Sequence, residues 1–302
     1  MLHYFILNPA AGKRDRTPEL RELIDRICTE HGLNYEIAVS SAPGNCRTLA
    51  RKAASSGEEV RIYACGGDGT LNEVVSGIVG CPNAAVTHFP GGSGNDFIKI
   101  FDDPQAFHDL ERLLDCEEAQ FDLISCNDRY ALNVCTVGFD ARIGTSIARY
   151  KRLPLVTGAG AYVLSAVVTT IQGISEHYTL EIDGKVLDQK QTLIFAGNGR
   201  FYGGGFHPMP DADPADGLLD VLLVEPVTRR KVLAVIGKYK DGKYAQFPDL
   251  IHHLRVKEFT VHCDKPTGFN LDGELYTCDT AHIRVAPEKI RFFYPRGLSW
   301  KN

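Results

Sequence analysis

Residues Cys65 to Val75 read CGGDGTLNEVV, and within this stretch a predicted strand ends in glycine-rich sequence and a predicted helix begins. The preceding run, 60–65, alternates in polarity and contains β-branched residues, as a strand entering a core does. The unpaired amides at the start of a helix attract phosphate, and the helix dipole adds to this attraction. The stretch therefore predicts a phosphate-binding turn. Apolar residues at helical spacing follow it at Leu71, Val74, Val75, Ile78 and Val79.

The glycines and the aspartate of this turn indicate what it binds. Gly66, Gly67 and Gly69 lack a Cβ, so they can take positive φ and let a ligand approach the backbone. Asp68 would repel a phosphate unless a cation or a sugar hydroxyl lay between them. We therefore expect Asp68 to act through a bound cation or through a sugar hydroxyl of the ligand rather than through folding. A tight turn that is capped by the aspartate is the structural alternative.

Two further loops have a similar composition. Residues 90–97 read PGGSGNDF and follow the strand-like run 84–89, and residues 8–13 read NPAAGK and follow the run 4–7. None of the three loops matches GxxxxGK[ST] or GxGxxG, so the common nucleotide-binding loops are excluded. Ligands of α/β proteins bind at the carboxyl ends of the parallel strands, where all three loops are expected. The sequence therefore predicts one nucleotide site built from three loops.

The pattern of predicted elements divides the 302 residues into two domains. Residues 1–122, with 288–302 returning to them, alternate strand and helix and predict an α/β domain. Residues 123–287 consist mainly of short strand-like runs separated by turns such as Asp183-Gly184, and they predict a β-rich domain. The predicted strands are 4–7, 35–39, 60–65, 84–89, 132–137, 178–182, 192–196, 218–224, 258–263 and 282–286, and the predicted helices cover 20–27, 48–54, 158–172 and 228–244.

Composition and charge exclude several classes of protein. The formal net charge is −5 and the pI is about 6.1, which argues against a nucleic-acid binder. Nine cysteines without a CxxC pair or zinc spacing predict reduced thiols in a cytoplasmic protein. No signal peptide is evident, and the longest apolar run, 161–171, is much shorter than the roughly 20 residues that span a bilayer. The sequence therefore predicts a soluble cytoplasmic protein.

A group of acidic residues follows the triplet Gly203-Gly204-Gly205. Asp211, Asp213 and Asp216 lie in a turn-rich stretch and, with backbone carbonyls, are candidate ligands of Mg²⁺. No glutamate stands at the twelfth position of the loop, which excludes an EF-hand. A solvated acidic loop is the alternative interpretation.

A second acidic pair lies in the sequence Asn270-Leu271-Asp272-Gly273-Glu274. An aspartate and a glutamate together can supply a general base and an electrostatic partner. Their spacing of two residues would put both side chains on one side of an extended segment. A hairpin turn at Asp272-Gly273 is the alternative.

Taken together, these motifs resemble the diacylglycerol kinase catalytic domain, which bacterial lipid kinases share with sphingosine and ceramide kinases. GGDGT alone also occurs in NAD kinases and distant phosphofructokinases, whereas GGDGT followed by GSGNDF and LDGE is highly specific. The matches run in the expected order along nearly the whole chain, from Asn8-Pro9 to Leu271-Asp272-Gly273-Glu274. The resemblance implies a phosphofructokinase-like and NAD-kinase-like α/β domain followed by a β-sandwich domain, with the nucleotide in the cleft between them.

The same resemblance implies an ATP-dependent kinase that transfers the γ-phosphate to the hydroxyl of diacylglycerol or a related lipid. Glu274 matches the proton acceptor, and Asp272 and Asp68 are the other implied catalytic residues. A structural Mg²⁺ is implied at Asp216, with backbone oxygens at positions like Asp213 and Leu218. The residues implied in ATP binding are Asn8, Pro9, Ala10, Ala11, Gly12, Ser40, Gly66, Gly67, Asp68, Gly69, Thr70, Leu71, Asn72, Ser93, Asn95 and Asp96.

Two other functions are open at this point. An NAD kinase shares GGDGT and Asn72-Glu73, but the stretch 211–219 does not contain a Gly/Thr-rich motif for the nicotinamide side. A non-catalytic nucleotide or lipid sensor would use the same scaffold, although Asp68, Asp96 and Glu274 are all present.

The sequence leaves open which lipid is phosphorylated and whether the chain forms a homodimer. A kinase that acts on a membrane lipid is expected to be peripheral to the inner face of the membrane. Residues 149–154, RYKRLP, lead into the apolar run 161–171 and are the candidate contact with an anionic bilayer, where each cation contributes about 1 kcal/mol. A solvated basic turn before a core helix is the alternative.

Overall fold

A computed structural model of the chain describes residues 1–138 and 175–301. The predicted helix 158–172 and the predicted bilayer contact 149–154, with the apolar run after it, lie outside the described residues. Within the described part, the prediction of an α/β domain followed by a β-rich domain is confirmed by a mixed sheet and a larger antiparallel sheet.

The first domain is built from strands and helices that alternate along the chain. Its strands are β1 (Leu2–Leu7), β2 (Tyr35–Val39), β3 (Val60–Gly66), β4 (Ala84–Pro90), β5 (Cys116–Phe121) and β16 (Ile290–Pro295), and its α-helices are α1 (Thr17–Glu30), α2 (Asn45–Ala54), α3 (Asp68–Ile78) and α4 (Leu110–Leu114). The strand order is β2-β1-β3-β4-β16-β5, and all neighbours are parallel except β16 and β5. The chain thus returns to the first sheet at its carboxyl end.

The centre of this sheet is a rigid support for the loops that follow it. All seven residues of β4 are buried, and every residue of β3 except Arg61 is buried. α3 covers the sheet with buried side chains at Leu71, Val74, Val75 and Ile78. Each fully buried aliphatic side chain contributes roughly 1.5–3 kcal/mol, so the strand ends are fixed by the core beneath them.

The described part of the second domain is an antiparallel sheet with a long helix against it. Its strands are β6 (Ile124–Cys126), β7 (Arg129–Ala131), β8 (Val134–Gly138), β9 (Glu176–Ile182), β10 (Lys185–Gln191), β11 (Leu193–Gly197), β12 (Leu219–Val224), β13 (Ile251–Val256), β14 (Glu258–Leu271) and β15 (Glu274–Val285), and its helix is α5 (Arg229–Lys240). The strand path is β13-β12-β11-β8-β14-β15-β6-β7, while β9 joins β14 and carries β10 at its other edge. This domain supplies a second hydrophobic core beside the first one.

Several strands of the second domain extend beyond the sequence prediction or were absent from it. β14 and β15 are much longer than the predicted runs, and β6, β7, β10 and β13 were not predicted. β10 reads KVLDQKQ and is mostly exposed, so it lacks the alternating apolar pattern by which a strand is recognised in a sequence. It is a strand because its backbone pairs with β9. The turn that joins β9 and β10 was predicted from the pair Asp183-Gly184. In the structure both residues have the positive φ that a tight hairpin requires.

All nine cysteines lie in the described ranges and are free thiols. Among the described residues, no helix has the length and apolar character that crossing a membrane requires.

Candidate active site

The loops that follow β1, β3 and β4 meet at the carboxyl edge of the first sheet. Gly91 N donates a hydrogen bond to Gly66 O at 2.7 Å, and Asn8 Nδ2 donates one to Thr70 Oγ1 at 2.9 Å. A narrow crevice lies between the loops and is lined by residues of all three. The structure therefore brings the three predicted nucleotide loops together.

The start of α3 presents amides that fit a phosphate. Gly67 is the N-cap residue, and the first helical hydrogen bond runs from Leu71 N to Gly67 O at 3.1 Å. The amides of Asp68, Gly69 and Thr70 therefore have no acceptor within the helix. Such amides, with the positive end of the helix dipole, form a site for anions.

Close packing between the loops explains their glycines. None of the three glycines of GGDGT has a positive φ, so this part of the prediction is wrong. A Cβ on Gly92 would lie 2.6 Å from the Cα of Gly67, and a Cβ on Gly12 would lie 2.6 Å from the carbonyl oxygen of Gly91. Larger residues would push the loops apart, because the contacting atoms belong to the backbone.

Asp68 fastens the second glycine loop to the first. Its carboxylate accepts hydrogen bonds from the backbone amides of Asn95 at 2.7 Å and Asp96 at 2.5 Å. This contact with the second loop was not predicted, since the structural role considered for Asp68 was a cap within its own turn. A carboxylate has about four acceptor positions, so two remain for a cation at the start of α3.

Asn95 and Asp96 shape the second loop and join it to the second domain. Asn95 has a φ of 51°, and its side-chain amide bonds to both the N–H and the carbonyl of Gly92. Asp96 is buried and accepts hydrogen bonds from Lys99 Nζ at 2.6 Å and from Gly204 N at 2.7 Å. Burial, followed by the charge of Asp68, raises the pKa of the Asp96 carboxyl. Ser93 stays exposed at the tip of the loop.

The other residues implied in ATP binding differ in what they can offer a ligand. The Asn8 carboxamide accepts a hydrogen bond from Ala10 N at 3.0 Å and so shapes the turn through Pro9, Ala10, Ala11 and Gly12. Ser40 is buried at the end of β2 and donates to Ala42 O at 3.3 Å. The side chain of Leu71 is buried in the core, so only its backbone can face a nucleotide.

Asp272 serves as an anchor between the domains. Its carboxylate accepts hydrogen bonds from the backbone amides of Leu132, Asn133 and Val134, at distances from 2.7 to 3.2 Å, and from Asn72 Nδ2 at 3.0 Å. Asn72, implied in ATP binding, is therefore turned toward the second domain. Asp272 holds the hairpin turn in place and is a positioning residue.

Glu274 lies on the other side of the same turn. Asp272 and Gly273 have φ values of 50° and 98°, so they form a tight hairpin turn instead of the extended segment that the sequence suggested. The two carboxylates are consequently not side by side on one strand face. Glu274 is exposed, and its Oε1 is 3.7 Å from the position of a Cβ on Gly69. A carboxylate of the second domain is thus placed beside the first turn of α3.

The titration of Asp272 gives a test of this anchor. Burial raises the pKa of Asp272 to about 6, although its hydrogen bonds act in the opposite direction. A folded-state pKa above the unfolded value means that the folded protein loses stability as the pH rises from about 4 to about 6. We therefore compare the free energies of unfolding of the wild type and of Asp272→Asn. The difference, wild type minus variant, should fall by on the order of 2 kcal/mol between pH 4 and pH 7. Urea unfolding at both pH values measures it, and a difference independent of pH would contradict the assignment.

The supporting roles of two residues near the loops were not predicted from the sequence. His88 is fully buried in β4, and its Nε2 donates a hydrogen bond to Gly66 O at 2.8 Å. Burial lowers the pKa of His88 and keeps the ring neutral. Glu73 accepts hydrogen bonds from Gly44 N at 2.8 Å and Cys46 N at 3.0 Å, and so caps α2 from α3. The signal for His88 was a titratable residue within a mainly apolar strand, while nothing in the sequence indicates the partners of Glu73.

The acidic loop after Gly205 holds its carboxylates in contacts within the protein. The Asp216 carboxylate pairs with the Arg255 guanidinium, whose Nε also lies 3.5 Å from Asp220 Oδ1. Asp213 caps the amide of Ala215 at 3.0 Å. Among the residues that the structure describes, no group of three acidic, histidine or cysteine side chains could hold a metal ion. Arg255 therefore already neutralises the one side chain that the resemblance assigned to this Mg²⁺, while the role of the backbone oxygens of Asp213 and Leu218 stays a prediction.

Metal removal distinguishes this ion pair from a structural Mg²⁺. We expect a chelator to leave the thermal midpoint of the nucleotide-free protein unchanged, since Arg255 neutralises Asp216. Arg255→Gln should instead make the midpoint rise with added Mg²⁺, because Asp216 and Asp220 would then lack a cation. Differential scanning calorimetry with and without Mg²⁺ measures both effects. A midpoint of the wild type that depends on Mg²⁺ and loses this dependence in Asp216→Ala would establish the metal site instead.

Comparison with known proteins agrees with this architecture. The model of the diacylglycerol kinase catalytic domain matches residues 3–126, and that of the YegS C-terminal NAD kinase beta sandwich-like domain matches residues 133–294. A Staphylococcus epidermidis protein named "Putative lipid kinase" is 26% identical over 90% of this chain and 89% of its own length. A Staphylococcus aureus protein of the same name is 25% identical over 93% of this chain and 92% of its own.

Solved structures share the fold over the whole length. A crystal structure of "a putative diacylglycerol kinase" from Bacillus anthracis has a TM-score of 0.77 at 21% identity and covers 97% of both chains. A second Bacillus anthracis structure, of a diacylglycerol kinase, has a TM-score of 0.69 at 18% identity and covers 98% of both chains. Both domains, in this order, are matched by family models as well as by structure. The chain belongs to the family of proteins that combine a diacylglycerol kinase catalytic domain with a YegS-type C-terminal domain.

Proposed function

We propose that the chain is an ATP-dependent lipid kinase, which transfers the γ-phosphate of ATP to the hydroxyl of diacylglycerol or a related lipid. The position of Glu274 is the observation that carries the proposal. Its carboxylate comes from the second domain, and its Oε1 is 3.7 Å from the position of a Cβ on Gly69, in the first turn of α3. A proton acceptor is thereby held next to amides that fit a phosphate.

The nucleotide is proposed to lie across the three loops. The amides of Asp68, Gly69 and Thr70 face the phosphates, and Asp68 is the residue that would hold Mg²⁺. When bound, Mg²⁺ neutralises charge on the phosphate oxygens. Asp68 also keeps the second loop in place, so that Ser93 at its exposed tip is available to the nucleotide.

The transfer step needs an acceptor for one proton. The lipid hydroxyl oxygen attacks the γ-phosphorus, and its proton passes to the Glu274 carboxylate. The bond from the γ-phosphorus to the bridging oxygen breaks, and its electron pair leaves with ADP. Asp272 does not touch the reacting atoms, since its carboxylate is occupied by four donors that fix the hairpin turn carrying Glu274.

An apolar cleft in the second domain supports a lipid as the acceptor. It is open to solvent and lies between α5 and the strands β11, β12 and β13. Tyr202 and Phe206 line it, and the loop between them contains Gly204, whose N–H donates to Asp96 at 2.7 Å. One loop therefore connects the cleft with the nucleotide site. Its wall includes the buried side chains of Leu193, Val224, Val235 and Ile251.

The proposal includes a place of action. A membrane lipid as substrate requires peripheral contact with the bilayer, and ATP is supplied at its cytoplasmic face. We propose that the protein works there, without nucleic acid as a partner.

A panel of acceptors tests the proposed function. We expect the purified protein with ATP and Mg²⁺ to consume ATP when diacylglycerol is supplied in detergent micelles, and not with micelles alone. NAD⁺, a polyprenol and a sphingoid base belong in the same panel. Phosphorylation of NAD⁺ would identify an NAD kinase, and nucleotide binding without turnover on any acceptor would identify a sensor.

A further inference from the structure

Helix α5 forms one side of the apolar cleft and part of its mouth. Val235 and Tyr239 are buried in the wall of the cleft. Lys231 and Ile236 also line the cleft but are exposed, Ile236 to 38%. The cleft therefore opens to solvent beside a cation and an aliphatic side chain on the same helix.

The segment that contains this helix is strongly basic in an acidic protein. Residues 229–243 contain six lysines and arginines and one aspartate, whereas the whole chain has a formal net charge of −5. The cations Arg230, Lys231, Lys238, Lys240 and Lys243 are exposed. Within the described part of the chain, Arg230 and Lys238 are in no ion pair. Lys243 pairs with Asp241 at 3.6 Å, and the ammonium groups of Lys231 and Lys240 lie over the rings of Phe247 and Phe206. All five side chains are nevertheless exposed, so the charge of the segment stays open to solvent.

The basic sequence at the start of α5 is unfavourable for the helix itself. Residues 229–231 read RRK and occupy the first turn of α5, which contains no acidic residue. Positive charge at the amino-terminal end of a helix opposes the helix dipole. Helix stability therefore does not account for this cluster, which favours an anionic partner instead.

We propose that α5 is the surface that docks on an anionic phospholipid bilayer, with its cations at the head groups and the mouth of the cleft toward the lipid. This inference rests on the proposed function, because it assigns the membrane contact of the same lipid site. Charge complementarity and an apolar opening on one helix are the combination that binds such a surface. A lipid acceptor would then enter the cleft directly from the bilayer.

Vesicle binding without ATP tests the docking surface apart from catalysis. We expect the wild type to co-sediment with vesicles of equal parts phosphatidylglycerol and phosphatidylcholine, and far less with pure phosphatidylcholine. The triple variant R230Q/K238Q/K243Q replaces exposed side chains outside the cleft. It should bind the anionic vesicles on the order of 100-fold more weakly. High salt should reduce the binding of the wild type, since the charges are exposed.

A matched variant controls for net charge. K185Q/K190Q/K257Q removes the same number of exposed lysines from β10 and from the turn between β13 and β14. It should keep nearly all of the binding, and both variants should phosphorylate a short-chain, water-soluble diacylglycerol as the wild type does. Equal binding of the two triple variants, or no preference of the wild type for anionic vesicles, would overturn the proposal. If neither the wild type nor the variants phosphorylate the soluble lipid, the proposed function is wrong. The vesicle-binding result still shows whether α5 is the docking surface.

Discussion

Glu274→Gln is expected to lower kcat by on the order of 100-fold while ATP binding and the fold are kept. The amide has the shape of the carboxylate but cannot accept the proton of the lipid hydroxyl at neutral pH. Glu274 is exposed at the start of β15, so the substitution removes no buried contact. Initial rates at saturating ATP and lipid measure the effect on kcat, and titration calorimetry measures the affinity for ATP.

Glu258→Gln is a matched control for this variant. Glu258 is exposed at the start of the neighbouring strand β14, so the same chemical change there should leave the rate unaltered. A Glu274→Gln enzyme that turns over nearly as fast as the wild type would remove Glu274 from the role of proton acceptor. A loss of ATP binding in this variant would place Glu274 in the nucleotide site instead.

Asp68→Asn is expected to reduce both activity and stability. The amide can accept one hydrogen bond through its oxygen, but its NH₂ group would face the other donor, the amide of Asn95 or of Asp96. Leaving a partly buried donor unpaired costs about 1–3 kcal/mol in the free energy of unfolding. The loss of the negative charge at the phosphates should lower kcat by at least about tenfold. Thermal unfolding and initial rates on the same samples measure the two effects.

The two effects separate the roles of Asp68. Asp279→Asn, which changes an exposed aspartate of β15, should alter neither quantity. A full rate with a lower melting temperature would show that Asp68 acts only as the residue that joins the two loops. A lower rate with an unchanged melting temperature would show that its hydrogen bonds to the second loop contribute nothing to stability.

The sequence was sufficient to place three loops at one edge of the first sheet, because their signals are local. β1, β3 and β4 read as strands, and each is followed within a few residues by a turn that contains glycine. The carboxyl ends of parallel neighbours lie at one edge, so three separate motifs predicted one site. The order of an α/β domain and a β-rich domain followed from the change in period after the first third of the chain.

The contacts that assemble the site could not be predicted, because they join residues far apart in the chain. Asp272 binds the amides of residues 132–134 and the side chain of Asn72, which is 200 positions away. Asp68 binds amides of the second loop, and Arg255 pairs with Asp216 from the neighbouring strand. Sequence spacing alone predicted that Asp272 and Glu274 lie on one face of a strand. The hairpin turn puts their carboxylates on different sides, so that Asp272 positions the turn and Glu274 faces α3.

The most direct test of the central claim is the transfer of label from [γ-³²P]ATP to diacylglycerol in mixed micelles. We expect a labelled, chloroform-soluble product with the wild type, and almost none with Glu274→Gln. Product formation should require both the lipid and Mg²⁺. Label that stays in the aqueous phase as inorganic phosphate, or a Glu274→Gln variant that labels the lipid as well as the wild type, would contradict the account.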